Sequence, residues 1–406
     1  MNEKMSKLAV NGGRPYKQDD FPKWPYGDEK EIALLTEVVH SSKWWRSTGS
    51  KVTEFEERFA AMQECEFCLG VTSGTHALEI SMSALGISHG DEVIIPAFSY
   101  ISTCSAVIYC NAVPVLVDVD PETFCMDPKA FEQAVTSKTK AVIPVHMAGH
   151  SCDMDEICKI AKKHGIYVIE DAAHGHNGSY KGKKLGSFGD MAIFSFQNGK
   201  LMTCGEGGAI VTNNRNLYEK AYLIHGVGRP KDDKGYTHAL VGSTCRMNEF
   251  QGAVLLAQMD RVEEMMKKRI QNAQYLDSLM NKIDGIWPQK TADYATEGMT
   301  HYMYMFYYEE REFGGHIRQE FVEALKAEGI PAFISFPVLS KTQFFTENNF
   351  MGKIPGYDYK KEKDLSNADK IGEKVVCIPQ YTLLGSKKDM EDIAGAVLKV
   401  QEAFCQ

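Results

Sequence analysis

Between about residue 50 and residue 215, short runs rich in β-branched residues alternate with stretches whose apolar residues recur at helical spacing. That alternation is the βαβ rhythm of a parallel sheet covered on both faces, and it sets the fold class as α/β. The runs CLGV (68–71), EVII (92–95), VPVLV (113–117), AVIPV (141–145), IYVIE (166–170), MAIFSF (191–196) and AIVT (209–212) are the strands expected. Seven of them imply one large, mostly parallel sheet domain. VTEFEERFAAM (52–62) has helical periodicity, and so does the segment 249–279, which is long enough to leave one domain and enter the next. The boundary is therefore expected near residue 265. Beyond it, HYMYMFYYEE (301–310), IRQEFVEALKAEG (317–329) and PAFISF (331–336) read as strand, helix and strand. The chain divides into an N-terminal arm and large α/β domain over 1–265 and a smaller C-terminal α+β domain over 266–406.

Composition narrows the partners. A formal charge of -9 argues against a surface that neutralises nucleic acid or an anionic membrane and favours small molecules. No apolar stretch approaches the roughly 20 residues of a membrane span, and MNEKMSKLAVNGG lacks the apolar core of a signal peptide, so a cytoplasmic protein is expected. The 11 cysteines are odd in number and scattered, which suits reduced thiols better than a disulfide framework. Cys65 and Cys68 have CxxC spacing without a second pair. His146 and His150 are four apart, but on a loop after a strand. No metal site is expected.

Ligands of open α/β sheets bind beyond the carboxyl ends of the strands. After CLGV, Ser73, Gly74 and Thr75 open a helix and offer backbone N–H groups and hydroxyls to a phosphate, or simply a helix cap. After EVII, Phe98 and Tyr100 could cover a planar ring or belong to the core. Glu170 and Asp171 end an apolar strand, where a buried carboxylate needs a partner. After MAIFSF, Ser195 lies five residues before Lys200, and a glycine run from Gly205 to Gly208 follows. A lysine in such a place loses its proton more easily and becomes a candidate nucleophile. The glycine run is neither GxGxxG nor a Walker loop. Phosphate cradle, aromatic cover, carboxylate and lysine on one sheet edge fit one ligand, pyridoxal 5'-phosphate (PLP).

The strings TSGTHAL, GDEVIIPAFSY, VIEDAAHGH, GEGGAIVT and CRMNEFQGA, with the FSF-x3-K of Phe194 to Lys200, resemble the DegT/DnrJ/StrS sugar aminotransferase family of fold type I, aspartate aminotransferase-like PLP-dependent transferases. The similarity runs from Gly49 to Met259 and more loosely to the end. It implies that Lys200 is the Schiff-base lysine and proton shuttle and that Asp171 pairs with the ring nitrogen. It further implies that His174 lies near the ring, that Tyr100 stacks on it, and that Gly74, Thr75 and Ser195 hold the phosphate. Sugar dehydratases of the family carry His at the lysine position, which Lys200 argues against. The resemblance also implies a homodimer with Thr244 and Arg246 against the partner's cofactor, Thr244 standing where many members have Asn.

The activity so implied is transfer of an amino group from glutamate or glutamine to a keto-sugar or keto-cyclitol. A PLP-dependent dehydratase or aminohydroxybenzoate-type synthase is the enzyme alternative, and FSFQNGKLMT looks closest to the cyclitol and aminohydroxybenzoate members. A PLP-binding regulator without turnover is the third reading, with no helix-turn-helix or basic extension to carry its output.

Overall fold

The computed structural model describes residues 7–231, 233, 235–354 and 364–406. The first six residues of the expected arm thus lie outside the described residues. Seven strands form the large sheet: β1 (Phe67–Val71), β2 (Glu92–Pro96), β3 (Val113–Val117), β4 (Thr139–Val142), β5 (Tyr167–Asp171), β6 (Met191–Ser195) and β7 (Gly208–Thr212). Their order across the sheet is β1-β7-β6-β5-β4-β2-β3. The pairs from β6 to β3 are parallel, and β7 alone runs against its neighbours β1 and β6. The strands are buried almost throughout, as a sheet covered on both faces must be.

In the large sheet, the strand that departs most from the sequence expectation is β4. It starts at Thr139 and stops at Val142, three residues short of the expected end. Pro144 has no N–H to continue the ladder, and Val145 keeps only a single bridge to Asp171. The segment nevertheless stays beside β5, with the Asp171 N–H donating to Pro144 O at 2.9 Å and the His146 N–H to Asp171 O at 3.1 Å.

The second sheet is antiparallel, with β8 (Ile286–Pro288), β9 (Met303–Tyr308), β10 (Phe333–Ile334) and β11 (Val375–Pro379) in the order β8-β9-β11-β10. The run expected as a strand over 331–336 shortens to two residues, because Pro337 and the turn after it lead the chain away. A 32-residue helix, Glu249–Met280, joins the two sheets. Leu255, Leu256 and Val262 of its first half lie in a core with β6 and β7, whereas Ala273, Leu276 and Met280 lie in the core of the second sheet. The N-terminal arm follows the same division. Leu8 and Phe21 pack on the second core, while Glu31 pairs with Arg261 of the long helix.

Two further helices position the site, Gly74–Ala84 after β1 and Ile101–Tyr109 after β2. The helix Lys51–Met62 packs against the long helix and β1, and its N-terminus has an unusual cap. Ser50 makes no side-chain capping bond. Glu249, buried at the start of the long helix, accepts instead from the N–H of Lys51 at 2.7 Å and of Val52 at 3.2 Å. Gly49 and Gly252 permit this contact, since a Cβ at Gly49 would come within 2.1 Å of Glu249 and one at Gly252 within 2.8 Å of Val52 N. Glu249→Ala leaves two buried donors unpaired, and hydrogen bonds to a charged group are worth about 1.5–3 kcal/mol each. We expect urea denaturation of the PLP-free protein to show a loss of roughly 3 kcal/mol; a loss below about 0.5 kcal/mol would mean that water replaces the carboxylate.

Candidate active site

The carboxyl ends of β1, β2, β5 and β6 surround a cleft of about 420 Å³. All seven residues expected from the sequence line it: Gly74, Thr75, Tyr100, Asp171, His174, Ser195 and Lys200. Each gets there for a local reason. Asp171 is the last residue of β5, so its side chain leaves the sheet on the side opposite Glu170, as period-2 alternation requires.

The two adjacent carboxylates have separate tasks. Glu170 is fully buried and accepts from the N–H groups of Gly186 at 2.8 Å and of Phe188 and Gly189 at 2.7 Å, with His146 Nε2 at 3.2 Å. Those contacts saturate it, and it holds the loop that leads into β6. Asp171 faces the cleft and accepts from Thr103 Oγ1 at 3.0 Å and the Ala173 N–H at 3.2 Å. Burial raises its pKa in spite of those bonds and of the Lys200 charge. It is thus a carboxylate with a hydroxyl, an amide and no paired cation among the described residues.

Lys200 is half-buried and makes no ion pair among the described residues. Its Nζ lies 4.4 Å from the centroid of the Tyr302 ring. Burial lowers its pKa to about 8, with Asp171 pulling the other way. A tight turn sets its backbone: the Lys200 N–H donates to Gln197 O at 2.9 Å, and the Gly199 N–H to Gln197 Oε1 at 2.8 Å. His174 is stacked on Tyr302, ring centroids 4.0 Å apart and 19° from parallel. Burial, and then the positive charge of Lys200, holds its pKa well below the ordinary histidine value, so the ring is neutral. His176 donates through Nε2 to Ser195 O at 2.8 Å, which fixes the end of β6.

The start of the Gly74–Ala84 helix is pressed against β6 and β7. A Cβ at Gly74 would come 3.0 Å from Ser195 Cβ, and one at Gly208 would lie 2.4 Å from the Ser73 backbone. Ser73 caps the helix through His76 N at 3.1 Å. The N–H groups of Gly74 and Thr75 therefore remain as helix-end donors without intrahelical acceptors. Thr75 Oγ1 donates to Ser102 Oγ at 2.8 Å across to the neighbouring helix. Backbone donors, three hydroxyls and the positive end of a helix dipole make a cradle that fits a phosphate. Asp171 and Lys200 line the same cleft, a carboxylate for a basic ring nitrogen and an amine for an aldehyde, so the donor set fits PLP.

Some residues depart from the sequence reading. Phe98, two residues past the end of β2, is fully buried in the core and is not a ring cover. Tyr100 stands at the rim, 55% exposed, edge-on to Phe336 at 6.0 Å. Thr244 and Arg246 lie outside the cleft of their own chain; Thr244 bridges to Gly226, and the Arg246 guanidinium sits 5.5 Å from the Trp45 ring. His146 and His150 are committed elsewhere, His146 accepting from Cys152 N–H and His150 from Ala292 N–H. Among the described residues no group of three or more His, Cys, Asp or Glu is placed to hold a metal, and no helix is long and apolar enough to cross a membrane. Sequence reasoning passed over Thr103, Ser102, Gln197, Tyr302 and Phe336, all of which line the cleft. The hydroxyls of SYIST after β2 were a usable signal for the first two. Tyr302 and Phe336 flank strands of the second sheet and had none.

A model of the DegT/DnrJ/EryC1/StrS aminotransferase family matches residues 25–398. The chain is 42% identical over 393 residues to the 3-amino-5-hydroxybenzoate synthase of Amycolatopsis mediterranei (strain S699), covering 94% of this chain and 99% of that one. It is 36% identical over 415 residues to the L-glutamine:2-deoxy-scyllo-inosose aminotransferase of Micromonospora echinospora, covering 98% of each. The crystal structure of a 3-amino-5-hydroxybenzoic acid synthase superposes with a TM-score of 0.88 at 38% identity, covering 95% of this chain and 99% of that one. With the family model extending on both sides of the segment that carries the sequence motifs, the chain belongs to the DegT/DnrJ/EryC1/StrS aminotransferase family.

Proposed function

We propose that this chain is a PLP-dependent aminotransferase that takes an amino group from glutamine or glutamate and delivers it to a keto-cyclitol or a related keto-sugar. The observation that carries the reading is that Lys200, an amine lowered to about 8, and Asp171, a buried carboxylate, share one cleft and that neither makes an ion pair among the described residues. Each is costly alone, and one ligand completes both. The relative from Micromonospora, an L-glutamine:2-deoxy-scyllo-inosose aminotransferase, supports the cyclitol acceptor and the glutamine donor. An aminohydroxybenzoate-type synthase is the second reading, favoured by the 42% identity to the synthase from Amycolatopsis.

PLP, when bound, supplies an electron sink for the pair released at the amino-bearing carbon. The protein's residues do the rest. Asp171 keeps a proton on the ring nitrogen by charge. Thr103 and Ala173 fix both of its oxygens. Neutral His174, held flat by Tyr302, covers a ring without adding charge that would compete with Asp171. Gly74, Thr75 and Ser195 hold the phosphate. Lys200 Nζ would hold the cofactor's aldehyde carbon and, when displaced by the donor amine, would be the base at the donor's amino-bearing carbon, and a pKa near 8 suits both taking and giving a proton near neutrality.

We assign the working assembly as a homodimer. Trp44 is 53% and Trp45 46% exposed, and Val241, shortly before Thr244 in the chain, is 97% exposed. Trp is enriched in interface cores, and a monomer leaves these side chains in water.

Borohydride reduction of the PLP-loaded protein should remove its visible band and leave a pyridoxyl label on Lys200; a label on a different lysine removes the assignment. In the same preparation, glutamine or glutamate should convert the cofactor to its amine form, and inososes or keto-sugars should restore it. Restoration by none of them, with formation of an aromatic amine from an aminated cyclohexenone precursor, would select the synthase.

Asp171→Asn should keep PLP bound and slow the half-reaction by two or more orders of magnitude, since removing a preorganised charge typically costs that much. Capture of PLP by the PLP-free protein requires the free amine, so its rate should rise with pH through a midpoint near 8. In Asp171→Asn that midpoint should fall, because the carboxylate stabilises the ammonium. Near wild-type turnover and an unmoved midpoint would make Asp171 structural.

Sedimentation at micromolar concentration should give a dimer. A fully active monomer would end the assignment of a shared site.

A further inference from the structure

The turn that carries Lys200 is held from a part of the chain that no motif marks. Trp24, on the N-terminal arm, donates its indole N–H to the carbonyl of Asn198 at 3.0 Å, two residues before the lysine. The other bonds of the turn are local, from Lys200 N–H to Gln197 O and from Gly199 N–H to Gln197 Oε1. The indole is therefore the one long-range hydrogen bond to this turn among the described residues.

Trp24 is itself fixed. On one side Phe21 packs on the core of the second sheet, and on the other the carbonyl of Tyr26 accepts from Gln258 Nε2 at 2.9 Å. Behind the ring lies Arg269 of the long helix, its guanidinium 5.4 Å from the indole centroid. Arg269 is fully buried, and among the described residues it pairs with no carboxylate. Its Nε and Nη2 both donate to Gln380 Oε1, at 2.9 and 2.6 Å. A buried guanidinium without a counter-charge is costly, and an aromatic face is one of the few neutral groups that offsets it. The charge that needs a π face and the indole that offers one thus hold each other at the back of the lysine turn.

We propose that Trp24 is a positioning residue for Lys200, with its N–H on Asn198 fixing where the amine stands in the cleft and Arg269 fixing Trp24. The inference rests on Lys200 being the cofactor lysine. It adds that the N-terminal arm, and not only the sheet edge, determines the geometry of that amine.

The test uses the full chain with Trp24→Phe, which keeps a ring for Arg269 and removes the N–H. We expect PLP to bind about five- to tenfold more weakly, in line with one lost hydrogen bond. The circular dichroism induced in the bound cofactor should change, and kcat should fall while KM for the amino donor stays within about twofold. The melting temperature of the PLP-free protein should move by no more than about 2 °C. Replacing Trp24 by 3-benzothienylalanine, which keeps the bicyclic shape with sulfur in place of the N–H, gives the same readouts should the phenylalanine variant not fold. Unchanged PLP affinity and unchanged cofactor dichroism in a folded variant would overturn the proposal. Absence of a pyridoxyl label on Lys200 in the wild-type protein would overturn the functional reading and this inference with it; a wild-type label with an unaltered variant overturns this inference alone.

Discussion

Glu170 and Asp171 are neighbours in sequence and both are buried, yet strand geometry sends them to opposite sides of the sheet, and the rest of the site depends on that separation. On the covered side, Glu170 is saturated by three backbone donors and His146. A carboxylate so satisfied is an anchor, and it sets the entry into β6, the strand that ends at Ser195 and leads to Lys200. On the open side, Asp171 receives two bonds and keeps its charge available to a ligand. A one-residue slip of β5 would exchange the two roles and place the saturating amides under the wrong carboxylate.

The cleft that results is poor in fixed charge and rich in hydroxyls. His174 and His176 are both pushed toward neutrality by burial and by the Lys200 charge, His176 to about 3. Lys200 is in turn lowered by burial and supported only by Asp171. Charge at this cleft is thus carried by Asp171 and Lys200 within it and by Glu206 of the glycine run, while Ser99, Ser102 and Thr103 line it with hydroxyls. In a site excluded from water such a pair acts over several ångströms, because little solvent screens it. A second fixed cation near Asp171 would weaken its hold on a ring proton, so a neutral imidazole is the suitable neighbour.

Most of the large sheet was legible because its strands are buried on both faces and read as short apolar runs between turn signals. The error at β4 came from reading AVIPV as one apolar run; Pro144 carries the contrary information, since it removes the N–H on which the ladder depends. Lys200, Asp171 and the Ser73–Thr75 cradle were legible because each sits at a strand end where its residue type is costly without a partner. Thr103 was hidden by being a hydroxyl on a helix, where the usual role is local. Tyr302, Phe336 and Trp24 could not be read, because the contacts that give them a role span more than 100 residues and follow from how two cores are placed against each other.

That placement assigns Tyr302 mechanically to the large sheet although it immediately precedes β9. The Tyr302 N–H donates to Ala148 O at 2.8 Å and the Thr300 N–H to Gly149 O at 3.2 Å, while Thr300 Oγ1 donates to His174 O. Gly149 adopts a left-handed φ of 92°, and a Cβ there would meet Thr300 Oγ1 at 2.0 Å, so the segment can lie this close only over glycine. The aromatic floor under His174 and Lys200 is therefore built into the rigid domain, upstream of any shift of the second sheet. Phe336 follows β10 and has no such stitch to the cofactor side; the nearest is Leu339 N–H to Ala97 O at 2.9 Å. Phe336 therefore meets the cofactor side at the mouth of the cleft through ring contacts, with Phe98 at 5.9 Å and Tyr100 at 6.0 Å, whereas the Tyr302–His174 stack is tied down by backbone bonds.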